Sequence, residues 1–353
     1  MGAILGLGMG HYPGFLFDDA TMADIPNRLK SGRIRPEFAD PMTWPPEMRA
    51  EWGDDEGATF AAAHRAEFME SARKVRAAID DFAPDAVVIF GEDRYEAFHE
   101  DVVPPFCVFA MDEVVARPFS WRRVGGPIRS SYWGDPPDYE LRAPGAKELA
   151  LTLAGGLIER GFDVAYAYRQ PHGDAVAHSF ANTLLFLDQD RTGFPYPVLP
   201  FHVNSYGTFM IRGGVEDRSI LGASDPPPPP PWRAFALGEA IGEAILASDL
   251  RVACIGSSSW SHGLSVAAHG GLYPDVDADR ARYEELRAGR YEAWSRLTTD
   301  DLLRAGETEL LNWLPLVGAM RRADAGAPAY CVLHESYLMS SSKCTTIFAA
   351  VER

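Results

Sequence analysis

The residues best able to do chemistry stand just after apolar runs of strand length. His11 follows AILGLGM (3–9), and Glu92-Asp93-Arg94 follow DAVVIFG (85–91). His172 follows DVAYAYRQP, His202 and Asn204 close PVLPFHVN, and His262 follows RVACIGSSSWS. In open α/β sheets ligands bind beyond the carboxyl ends of the strands, so this shared placement carries more weight than any one histidine. Glu309 is informative for another reason. Read as a helix, residues 309–320 put Glu309, Trp313, Leu316 and Met320 on one stripe. A carboxylate on an apolar stripe is costly unless a cation or donor meets it. Two readings stand: a first-turn glutamate complementing the helix dipole, or a metal ligand. Two histidines and one carboxylate with open positions form the facial triad of non-heme Fe(II) oxygenases. The sequence holds those residue types, but spacing alone does not bring them together.

The elements that must position them alternate. Strands are expected at 3–9, 85–91, 106–111, 163–168, 197–203, 251–257 and 329–339, several apolar throughout, as in strands covered on both faces. In 60–82, His64, Phe68, Ala72, Val75 and Ile79 form one helical stripe, which makes His64 a packing residue. Residues 144–160, 232–247, 279–295 and 307–322 read as helices too. The fold class is therefore α/β, a mixed, largely parallel central sheet with helices on both faces. One catalytic domain over 1–353 is expected, with long loops at 14–58, 116–143 and 213–231. The prolines 226–231 read as a rigid polyproline lead into the next helix rather than a domain linker.

Composition narrows the functions. With 353 residues, 46% hydrophobic and 24% charged, the chain can bury a large core, which excludes disorder. A net charge of −17 argues against nucleic acid or an anionic membrane as partner. The four cysteines show no CxxC spacing, so neither a disulfide framework nor a structural zinc site is expected. The N-terminal apolar run lacks a basic segment and reads as a strand, so a cytoplasmic protein is expected. GLGMG (6–10) lacks the third glycine of a dinucleotide motif, and His11 interrupts the helix start, so NAD is excluded. No G-x-S-x-G elbow accompanies SSSWS and His262. His99 reads as part of an acidic, exposed loop, His269 and His334 as structural, and His202 as a core or pocket-wall group.

Six segments in order resemble the class III extradiol ring-cleavage dioxygenases, the superfamily of the protocatechuate 4,5-dioxygenase catalytic subunit. They are LGLGMGHYPG (5–14), PDAVVIFGEDRYEAF (84–98), QPHGDAVAHSF (170–180), PVLPFHVNSY (197–206), IGSSSWSHGL (255–264) and AGETELLNWLPLVGAM (305–320). The resemblance implies His11 and Glu309 as iron ligands, His262 as the acid–base histidine and His172 as a second pocket histidine. One position departs: the family's second ligand histidine falls on Arg94, which stays protonated and cannot ligate iron. His178, in an AHSF context, is one candidate to complete the triad. Asp93 and Glu92 are others, and a site without a third protein ligand is the last. Arg94 is free to pair with Glu92 or with a substrate carboxylate. The implied activity is Fe(II)-dependent opening of a small catechol-like phenol with O2, in a homo-oligomer, a dimer by base rate. A non-catalytic homologue and a metal-dependent hydrolase in the same pocket are the competing readings.

Overall fold

The computed structural model describes residues 2–19, 22, 25, 28–29, 34, 36–119, 130–207 and 226–353. Parts of the expected loops 14–58, 116–143 and 213–231 lie outside these residues.

Four parallel strands form the centre of a nine-stranded sheet: β1 (Ala3–Met9), β2 (Ala86–Gly91), β7 (Val198–Val203) and β8 (Arg251–Ser257). Their order across the sheet is β7, β2, β8, β1. On one side β3 (Phe106–Phe109) pairs antiparallel with β7, and β6 (Ala165–Ala167) adds parallel to β3. On the other, β10 (Lys343–Ile347) and β9 (Tyr330–His334) continue antiparallel, and β11 (Val351–Glu352) pairs with β1. The strands β4 (Glu113–Ala116) and β5 (Leu141–Pro144) form a separate hairpin pair. The sheet is thus mixed and mostly parallel at its centre, as the alternation of elements implies.

Alternation along the strands divides two cores. Val87, Ile89, Ala253 and Ile255 face one side, with helices α2 (Ala58–Phe82) and α4 (His178–Leu187). Val88, Phe90, Val252 and Cys254 face the other, with α3 (Lys147–Glu159), α5 (Pro231–Leu246) and α8 (Trp313–Ala323). The stripe expected on α2 is buried from His64 to Ile79. The glycines of GLGMG serve α8: a Cβ at Gly8 would lie 2.2 Å from the Trp313 ring, and one at Gly6 2.2 Å from Met320 Sδ. Only a strand without side chains there lets the helix approach this closely.

Several boundaries differ from expectation. Residues 14–58 hold a helix, α1 (Pro46–Trp52), over a small core of Ile25, Trp44, Met48, Leu272 and Leu338. The helix expected at 279–295 ends as α6 (Val276–Arg287), because Gly289 takes φ +70° and a 3₁₀ turn, Tyr291–Arg296, follows. Residues 307–322 form no single helix: α7 (Thr299–Ala305) ends at Gly306, a 3₁₀ turn Thr308–Asn312 comes next, and α8 completes the segment. Pro231 occupies the first turn of α5, where its missing N–H costs nothing.

Candidate metal and proton-transfer site

The parallel strands end in register, Met9 beside Ser257 and Phe90 beside Gly256, so the residues after them converge at one sheet edge. β1 delivers His11, β2 delivers Glu92 and Arg94, β7 delivers Tyr206, and β8 delivers Ser257 and, after a short turn, His262. The 3₁₀ turn before α8 adds Glu309, and the first turn of α4 adds His178.

Three histidine Nε2 atoms meet two carboxylates here. His11 Nε2 lies 3.0 Å from Glu92 Oε1 and 3.8 Å from Glu309 Oε2. His178 Nε2 lies 3.4 Å from Glu92 Oε1, and His262 Nε2 lies 3.3 Å from Glu309 Oε2. Both glutamates are fully buried, and neither facing oxygen has a hydrogen-bond donor among the described residues. The back of each ring is held. His178 Nδ1 meets Glu96 Oε2 at 2.8 Å, His11 Nδ1 meets Ser257 Oγ at 3.0 Å, and His262 Nδ1 meets the Trp260 carbonyl at 3.2 Å. A ring that donates Nδ1–H to a carbonyl or carboxylate carries its lone pair on Nε2. Lone pairs and buried anions then face one another, an arrangement that calls for a cation or a proton between them. The orienting contacts behind His11 and His178 are those a metal-binding histidine uses. His11, Glu92 and His178 offer ligand atoms all within 4.8 Å of one another, two histidines and one carboxylate.

The charges around them differ by residue. Burial alone would raise the Glu309 carboxyl, but His262, Arg94 and His11 outweigh it and hold it well below the usual carboxylate range. Arg94 and Tyr206 both donate to Glu309 Oε1, and Arg94 also donates to the Tyr206 hydroxyl. Burial pulls His262 below its ordinary value, although Glu309 pulls it the other way. Burial also opposes charge on His178, but Glu96 and Glu92 raise it to about 9.

The expected residues fall into two sets. His11, His178, His262 and Glu309 come together. His172 does not join them in the same way: its Nε2 bonds Asp101 at 2.9 Å and its ring stacks on His99, at the surface. His178 takes the buried place beside His11, with ring centroids 5.2 Å apart. Asp93, a candidate ligand, accepts instead from the backbone N–H groups of Glu96, Ala97 and Phe98 and so shapes the turn. Arg94 pairs with Glu309 rather than with Glu92. No motif marks Asn312 or Glu96 as a site residue. Tyr206 has its place in the VNSY segment as a signal, and Glu96 lies two residues from Arg94 with only its charge to suggest a role.

Residues 218–346 match the family described as the catalytic LigB subunit of aromatic ring-opening dioxygenase. Three curated relatives are each named 2,3-dihydroxyphenylpropionate/2,3-dihydroxicinnamic acid 1,2-dioxygenase. That of Comamonas testosteroni is 30% identical over 187 residues, 53% of this chain and 46% of the relative. That of Paraburkholderia xenovorans is 32% identical over 221 residues, 61% and 56% respectively. That of Burkholderia vietnamiensis is 31% identical over 227 residues, 64% and 56%. The chain spans about half the length of the curated relatives it matches. The segment 218–346 is thus similar to the LigB family, in keeping with the dioxygenases that the chain's motifs resemble.

Proposed function

We propose that this chain is a non-heme Fe(II)-dependent extradiol dioxygenase that opens the ring of a catechol-like phenol with O2. The observation that supports it is the convergence of His11, His178 and His262 on two buried, unpartnered carboxylate oxygens at the carboxyl ends of the central strands. His11 and His178, with a carboxylate, are the donors for the metal. Iron, when bound, supplies dioxygen chemistry and lowers the pKa of the substrate hydroxyls. His262 then acts on protons: its Nε2, with burial favouring the proton-free ring, takes one from a substrate hydroxyl and returns it later in the reaction. Glu309, 3.3 Å away, fixes that ring and favours its protonated form. His172 has no part in this reading, since Asp101 and His99 engage its ring at the surface.

The relatives are named for catechols with a carboxylated side chain, and that substrate class is the first to try. Residues 1–353 are taken as one catalytic domain, acting as a cytoplasmic homodimer. Among the described residues no helix is long and apolar enough to cross a membrane. The test is metal content after anaerobic purification, followed by oxygen uptake with catechols, gallates and aminophenols. Near-stoichiometric iron with substrate-dependent uptake is expected, and His262→Gln should lower turnover about 10²–10⁴-fold while keeping the metal. Zinc without oxygen uptake would sink the dioxygenase reading.

A further inference from the structure

The proposed metal site has two carboxylates competing for one ligand position, and the choice between them depends on that site being a metal site at all. Glu92 and Glu309 flank His11, each with one oxygen tethered and one unpartnered. The tethers differ in kind. Glu92 Oε2 accepts from Asn312 Nδ2, a neutral amide that aims the carboxylate and leaves its charge intact. Asn312 is itself fixed, donating to the Ser257 carbonyl at 3.2 Å and accepting from Ser205 Oγ at 3.2 Å. Glu309 Oε1 accepts from the Arg94 guanidinium and the Tyr206 hydroxyl. A permanent cation in direct contact neutralises that carboxylate and repels a divalent ion beside it. The free oxygen of Glu92 faces His11 and His178, whereas that of Glu309 faces His262 most closely.

We infer that Glu92 is the carboxylate ligand of this site, with His11 and His178, and that Arg94 holds Glu309 off the metal, leaving it to position His262. Two ligands have thus moved together. Arg94 stands where the resemblance places a histidine and captures the glutamate that the resemblance assigns to iron. His178 and Glu92 supply both missing donors on the other side of His11.

The test is Mn²⁺ binding to chelator-treated full-length protein by calorimetry, repeated with Co²⁺ while its visible spectrum is recorded. Glu92→Gln and Glu309→Gln keep shape and remove charge. Glu92→Gln is expected to weaken Mn²⁺ by about 100-fold or more and to change the Co²⁺ spectrum, beyond the 10–100-fold typical of losing an orienting contact. Glu309→Gln is expected to bind within about 10-fold of the parent with the parental spectrum. If Glu309→Gln fails to fold because Arg94 is left unpaired, Arg94→Met/Glu309→Gln carries the same expectation. Loss of metal in the Glu309 variants with retention in Glu92→Gln overturns the inference, and so does equal loss in both. A parent that binds neither Mn²⁺ nor Fe²⁺ overturns the metal reading itself, whereas a metal-binding parent with an unchanged Glu92→Gln overturns only the assignment.

Discussion

Two halves of one site use the same residue type to opposite ends. On the β2 side, Glu92 is buried with an amide as its one tether, and its other oxygen faces the His11 and His178 rings. On the α8 side, Glu309 is equally buried but bound to a guanidinium and a phenol. A buried carboxylate tethered only by an amide retains more attraction for a metal cation than one in direct contact with a guanidinium. The carboxylate's identity as ligand therefore depends less on its distance from His11 than on which charge reached it first. A single arginine, placed after β2, is enough to reassign both glutamates.

The largest effect should come from breaking the paired half. Arg94→Met leaves Glu309 as an uncompensated anion in a fully buried place. An orphaned buried charge costs about 3–5 kcal/mol, so urea denaturation should show a loss of that size. The double variant Arg94→Met/Glu309→Gln should recover most of it, because no charge is then left behind. A cost below about 1 kcal/mol, the range of exposed pairs, would mean that Arg94 does not hold Glu309 and that the contrast between the halves is empty.

A smaller effect sharpens the other half. Glu96 receives both the backbone N–H of His178 at 2.9 Å and its Nδ1 at 2.8 Å, so it sets where α4 begins and which way the ring points. Glu96→Gln should lower metal affinity about 10–100-fold. Ser257→Ala, behind His11, should cost less, since Asn182 Nδ2 still grips the His11 carbonyl at 3.0 Å. If Glu96→Gln binds metal as the parent does, His178 is not a ligand.

The strand ends are legible in the sequence because apolar runs of this length, followed by polar residues, have few other readings. That locates His11, Glu92 and His262. The choice between Glu92 and Asp93 is not legible, since adjacent residues after a strand point to opposite sides and only the turn shows which faces inward. Asp93 turns to the backbone of residues 96–98. Helix α4 leaves no amphipathic period because every residue from His178 to Leu187 is buried, and so its first residue stands out only through its local motif. The Arg94–Glu309 pair joins positions 215 residues apart, and no local pattern encodes it. Strand β10, KCTTI, lacks an apolar run, yet all but one of its residues are buried, Lys343 among them.

Lys343 supplies the last comparison, a fully buried basic residue on β10, on the far side of β1 from β8 and β2. Arg94 has a carboxylate and stays charged, held above its ordinary value by Tyr206 and Glu309 against the pull of burial. Lys343 has the Ser341 carbonyl as acceptor and the Tyr12 ring 4.0 Å from its Nζ. Burial pushes its ammonium down to about 7, although Glu51 and Asp279 pull the other way. The folded chain therefore prefers the neutral amine, while the unfolded chain holds its proton up to about 10.4. Between those values the unfolded state binds more protons, so stability should rise with pH, by up to about 1.4 kcal/mol per unit. Below about 7 both states are protonated and this contribution becomes flat. Lys343→Met keeps the volume and removes the proton, so urea midpoints taken from pH 6 to 9.5 should differ in slope from the parent only above neutrality. Parallel curves would show that the amine stays charged when folded, which would place an anion or water beside it and make it a second paired cation rather than the unpaired counterpart of Arg94.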